Sequence, residues 1–152
     1  MKTSIPPILI TFALVCFALV RNTQAVSPPP DGGYPGQNTA EGDNALLNLT
    51  TGINNRAIGF DTLQNDTTGS SNTANGWQSL LHNSTGNNNT ANGENALFSN
   101  TSGDGNVATG AIALYFNTTG TENTAVGAGA LYGNTTGNDN TASGNGALNS
   151  CK

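Results

Sequence analysis

The sequence predicts an all-β protein: a parallel β-solenoid, or β-roll, of about seven 17-residue coils following a signal peptide. Three observations carry that expectation. Asparagine stands at 38, 55, 72, 89, 106, 123 and 140, seventeen residues apart every time. A fixed period of this length is the mark of a repeat architecture, in which each unit stacks on its neighbours. Two glycines recur in every complete unit, which leaves no helical stretch of useful length, since each interior glycine costs about 1 kcal/mol in a helix. Single alanines and leucines recur at fixed places between polar residues, as short inward-facing segments require.

Taken in chain order, the first element is a secretory signal over 1–25. Lys2 supplies the positive start, and "ILITFALVCFALV" (8–20) runs thirteen residues without a charge. That is shorter than the ~20 residues of a membrane span. Thr23 and Ala25 occupy small-residue positions before a cut after Ala25. Acylation at Cys16 is disfavoured, because Cys16 lies in the middle of the apolar run behind the bulky Val15. Residues 26–37, which include "SPPPDGGYPGQ" (27–37), form a Pro/Gly-rich extended leader with no apolar period.

The repeat domain spans 38–150, with units starting at each periodic asparagine and the pattern N-T-A-x-G-x-x-A-L-x-x-N-T-T-G-x-x. Positions are counted below from that asparagine. The third is always alanine (Ala40, Ala57, Ala74, Ala91, Ala108, Ala125, Ala142), and the ninth is always leucine (Leu46, Leu63, Leu80, Leu97, Leu114, Leu131, Leu148). These fourteen side chains form the expected core. The reading gives each unit two extended segments, one around the alanine and one around the leucine, with glycines at the fifth and fifteenth positions supplying turns. The first-position asparagines then stack as an amide ladder, and the Thr-Thr turns stack beside it. At about 4.8 Å per coil the rod is on the order of 30 Å long. The tenth position carries Leu47, Leu81, Phe98, Tyr115 and Tyr132. Strand alternation points these outward, as an apolar stripe suited to contact with further copies of the chain.

Charge narrows the partners. Only 9% of residues are charged, and the polarity comes from Asn, Thr, Ser and Gly. After the cut, Arg56 and Lys152 face nine carboxylates, a net charge of −7. Such a surface repels nucleic acid and anionic lipid and has no basic stripe to overcome the repulsion. No nucleic-acid partner and no membrane insertion after signal removal are expected. Cys151 is left as a lone thiol, so no intramolecular disulfide is expected.

No motif carries catalysis, a cofactor or a metal. His82 is the only histidine, with no second histidine or nearby cysteine to build a zinc site. Calcium-binding rolls need a fixed Asp in each repeat, whereas "GDG" (103–105) and "TGND" (136–139) are isolated. "GAG" (127–129) misses the dinucleotide-loop spacing, and no G-x-S-x-G occurs. Asn-x-Ser/Thr occurs at Asn48, Asn65, Asn83, Asn88, Asn100, Asn117 and Asn134, mostly because the repeat turn creates it.

The repeat, in the form "NTAVGAGALYGNTTG" (123–137), resembles the β-roll head repeats of trimeric autotransporter adhesins. It is closer still to the Asn/Thr/Gly-rich repeats of large secreted bacterial proteins that often end in a tail-fibre-type self-cleaving chaperone domain. The leader "SPPPDGGYPGQNTAEGDNALLNLTTG" (27–52) is similar to the mature N-terminus of such secreted proteins. The resemblance implies a parallel β-roll, trimerisation, and a secreted or cell-surface role in adhesion or fibre building, with a host or matrix surface as ligand. Adhesin head repeats are usually shorter than seventeen residues. The stop at Cys151-Lys152 inside a repeat reads as a fragment or a shortened product.

The expected function is a secreted structural or adhesive surface module without catalytic activity. Two alternatives stand beside it. The first is ice binding by the second-position threonines Thr39, Thr73, Thr90, Thr124 and Thr141, a column interrupted by Arg56 and Val107. The second is carbohydrate binding by Phe60 and Trp77, neighbours at the sixth position of adjacent coils.

Overall fold

A computed structural model of the chain describes residues 35–150. The signal over 1–25, the leader up to residue 34, Cys16 and Cys151 lie outside the described residues. Each unit contributes one three-residue strand: β1 (Thr39–Glu41), β2 (Arg56–Ile58), β3 (Thr73–Asn75), β4 (Thr90–Asn92), β5 (Val107–Thr109), β6 (Thr124–Val126) and β7 (Thr141–Ser143). They pair in parallel, in sequence order, in a single sheet. The register advances by one unit at each step, so Ala40 lies opposite Ala57, Ala74 opposite Ala91, and Ala125 opposite Ala142. This is the parallel β-solenoid that the period predicts, winding six turns between β1 and β7. In every strand the central alanine is buried while its neighbours are exposed or half-buried.

The leucine segment departs from the expectation of a second strand. It is a run of turns in which the ninth-position leucines take left-handed backbone, with φ from 50° to 54°. The seventh position is left-handed as well, from Asn44 (φ 59°) to Gly146 (φ 63°). Left-handed geometry costs about 1–2 kcal/mol for an L-residue. Burial offsets it: Leu63, Leu80, Leu97 and Leu114 are fully enclosed, worth about 3 kcal/mol each at most. Successive turns also bond along the rod. Leu80 N–H donates to Ala96 O at 3.0 Å, Leu97 N–H to Ala113 O at 3.0 Å, and Ser99 N–H to Tyr115 O at 3.0 Å. The turns therefore carry their own ladder, and backbone groups that water would otherwise satisfy find partners in the next coil.

The two glycine columns do different work. Fifth-position glycines have φ between 124° and 142°, a region side chains resist. Fifteenth-position glycines are not left-handed, contrary to the expectation that both columns supply turn conformations. They are excluded from carrying a side chain by crowding: a Cβ on Gly86 would lie 2.5 Å from Gly103 O and in contact with Asn83 Oδ1.

That crowding belongs to a polar half of the core. Asn89 Nδ2 (first position) and Asn100 Nδ2 (twelfth) both donate to Gly103 O, at 2.8 and 3.0 Å. The first-position amides also stack: Asn106 Nδ2 donates to Asn89 Oδ1 at 3.1 Å, and Asn123 Nδ2 to Asn106 Oδ1 at 3.0 Å. The apolar half is built from the third-position alanines, the ninth-position leucines and an eighth column that includes Ala45, Ala96, Ala113 and Ala130.

Two boundaries shift. Leu148 is 48% exposed, because among the described residues no coil lies over it, so it is not a core residue. At the other end residues 35–37 already belong to the solenoid. Gln37 is left-handed (φ 62°) like its equivalent Asn54 (φ 60°), and Gly36 O accepts the Asn54 N–H at 2.8 Å.

Candidate functional site

The tenth and eleventh positions form one corner of the rod, and there the structure gathers its aromatic residues. The rings of Phe98 and Tyr115 stack with centroids 4.9 Å apart and planes 2° from parallel. Tyr115 stacks on Tyr132 at 5.4 Å and 24°. Phe116 meets Tyr115 and Tyr132 edge-on, at 4.8 and 5.0 Å, and His82 meets Phe98 edge-on at 4.9 Å. Offset and edge-on pairs of this kind are each worth about 0.5–1.5 kcal/mol beyond the area they bury.

The stripe is less outward than alternation predicts. Leu81 is buried, and Phe98, Tyr115 and Tyr132 are half-buried against one another. The left-handed leucine explains the difference, since the in-out alternation of a strand does not continue through a turn. Leu47 is exposed, and Phe116, at the eleventh position, is the aromatic of this corner that faces solvent most openly, at 43%. From the third to the sixth coil the corner reads Leu81-His82, Phe98-Ser99, Tyr115-Phe116 and Tyr132-Gly133, with no carboxylate, lysine or arginine.

The remaining candidates fall elsewhere. His82 is exposed, and its Nδ1 lies 3.3 Å from Asn65 Nδ2. In "GDG", Asp104 Oδ1 accepts the backbone N–H of Asn87 at 2.6 Å, and in "TGND", Asn138 Oδ1 accepts that of Thr121 at 2.7 Å. These sixteenth-position side chains cap the coil before them. In the second-position column, strand register places Arg56 between Thr39 and Thr73, and Val107 between Thr90 and Thr124. Phe60 and Trp77 are 44% and 47% exposed and take no part in the ring contacts of the described residues.

The twelfth position holds what the sequence reading missed. Asn134, Asn117, Asn100 and Asn83 are buried and linked in series, the Nδ2 of Asn134, Asn117 and Asn100 each donating to the Oδ1 of the one before at 2.9 Å. Next in the column stands Asp66, fully buried. Its Oδ1 accepts the Gly69 N–H at 2.8 Å, but its Oδ2 has no partner. Burial pushes this carboxyl up to about 6, against the weaker downward pull of the Gly69 N–H and nearby amides. The signal is present in the sequence as a column that reads Leu49, Asp66 and then four asparagines, but there the asparagines stand out only as Asn-x-Ser/Thr triplets. No family model, curated protein or solved structure matches this chain.

Proposed function

We propose that the protein is a secreted, non-enzymatic structural rod that associates with copies of itself along the aromatic corner and serves as an adhesive surface module. The observation that carries the reading is the uncharged corner running over four coils. With the signal removed the chain carries a net charge of −7, and at this corner two rods can bury apolar surface against each other without opposing carboxylates. Phe116, which stands out from the stack, is the anchor residue of the contact. The resemblance of the repeat to adhesin β-roll heads supports a trimer and a location outside the cell. The internal identities need no ligand, because alanine, leucine, asparagine and glycine columns each answer a packing or hydrogen-bonding requirement of the coil.

Light scattering of residues 26–152 tests the proposal. The expected result is the mass of three chains, falling to one chain for Phe116→Lys with the fold retained. A folded wild-type monomer at high concentration removes the self-association reading.

A further inference from the structure

A second patch differs from the aromatic corner in chemistry and surroundings. The sixth position, directly after the left-handed glycine, reads Asp43, Phe60, Trp77 and Glu94 in the first four coils. Phe60 and Trp77 are both exposed, one coil apart, and unlike exposed Phe116 neither contacts another ring among the described residues. Asp43 and Glu94, both exposed, stand on either side of them along the rod. Beside the rings Asp61 is held by three amides from three successive coils. Asn44 Nδ2 and Gln64 Nε2 donate to its Oδ1 at 2.9 and 3.1 Å, and Gln78 Nε2 donates to its Oδ2 at 3.3 Å. The network orients Gln64 and Gln78, and each amide keeps its carbonyl oxygen and a second N–H for another partner.

We infer that Phe60 and Trp77, with the Asp61 network, form a binding platform for a neutral polysaccharide. A pyranose ring has an apolar C–H face and a rim of hydroxyls. The first suits an open aromatic face, and the second suits oriented amides and carboxylates that accept O–H donors. A sugar chain lying along the rod meets one aromatic ring per coil step. The bracketing carboxylates decide between occupants. A second copy of this anionic chain, or an anionic polysaccharide, is repelled by Asp43, Asp61 and Glu94, whereas a neutral polyol donates hydrogen bonds to them. The platform is separate from the aromatic corner, which runs from the third coil to the sixth, whereas Gln64, the network's one tenth-position member, belongs to the second coil.

Trp77 is the only tryptophan in the chain, so its emission reports on this patch alone. The test titrates residues 26–152, as wild type and as Phe116→Lys, with cello-, xylo-, manno- and N-acetylchito-hexaose, and with alginate as the anionic arm. The expected result is a saturable blue shift with at least one neutral hexaose and none with alginate, in both proteins. Phe60→Ala and Asp61→Ala should each weaken the affinity about tenfold, with thermal melts showing the fold intact. Because both side chains are at least partly exposed, these variants should fold. Trp77→Ala should lose retention in native gels cast with the matching polysaccharide, a readout that needs no fluorescence. Absence of any shift at millimolar neutral hexaose overturns the inference. So does a response to alginate alone, or a shift that Phe60→Ala leaves unchanged.

Discussion

Replacing Asp66 with asparagine should stabilise the rod at neutral pH and have little effect in acid. Asp66 occupies the column in which Asn83 Nδ2 donates to Gly86 O at 3.0 Å. Asparagine would supply the equivalent donor toward Gly69 O and remove a buried oxygen that has no partner. The pH dependence follows from the raised carboxyl. Its folded value of about 6 lies above the ordinary 3.8, so the native state holds the proton more tightly than the unfolded chain. The associated stability is fully present below about pH 4 and is lost as pH rises to about 6. A rise of this size corresponds to on the order of 2–3 kcal/mol. Urea denaturation of wild type and Asp66→Asn between pH 4 and 8 should show curves that converge near pH 4. By pH 7.5 they should separate by about 2 kcal/mol, the variant being the more stable. Other carboxylates titrate in both proteins and drop out of the difference. A variant less stable than wild type at pH 7.5, or a difference that does not change with pH, would refute the reasoning.

Four further outcomes are expected. Gly86→Ala drives a Cβ against the Gly103 carbonyl and the Asn83 amide, and should cost about 3 kcal/mol or more by denaturant titration. Gly146→Ala, with no atom within 4 Å and only its φ of 63° to accommodate, should cost about 1 kcal/mol. Ile112→Asn should raise stability by about 1 kcal/mol, because a β-branched residue at φ 54° gives way to one that tolerates that geometry. In a glycosylating secretory host, exposed Asn88 should accept a glycan without loss of the fold. A glycan on Asn100, whose Nδ2 is bonded to Asn83 Oδ1 and Gly103 O, should appear only in misfolded material, as mass spectrometry of the soluble and aggregated fractions can show.

The architecture was legible because a solenoid places every residue on its own equivalent. Asn89 lies between Asn72 and Asn106, and Ala91 between Ala74 and Ala108, so the column constraint appears directly as a seventeen-residue identity. Backbone conformation was harder to read. Left-handed positions usually announce themselves as glycine or asparagine, and Asn44 and Asn95 do so. At Leu97 the demand for a large apolar side chain outweighs the backbone preference, and the residue type hides the turn. The misplacement of Leu81 follows from that, because outward alternation assumes a strand. The fifteenth-position glycines are recognisable as invariant but not for their reason, since close approach of a neighbouring coil leaves no trace in a single unit. Of the two surface patches, the Phe60–Trp77 pair was visible as neighbours in one column. The Asp61 network was not, because it joins the seventh position of three coils to the tenth position of the second.

The central claim is that one 17-residue unit makes one coil, stacked in register on the next. Paired spin labels on the exposed fourteenth column test it most directly, in a Cys151→Ser background of residues 26–152 diluted with unlabelled chain. Thr51 and Thr119 lie four coils apart and Thr51 and Thr136 five. At about 4.8 Å per coil the predicted distances are near 19 and 24 Å, each narrowly distributed and differing by one coil step. Equal distances for the two pairs, or distributions spread over tens of ångströms as for an unfolded chain, would contradict it.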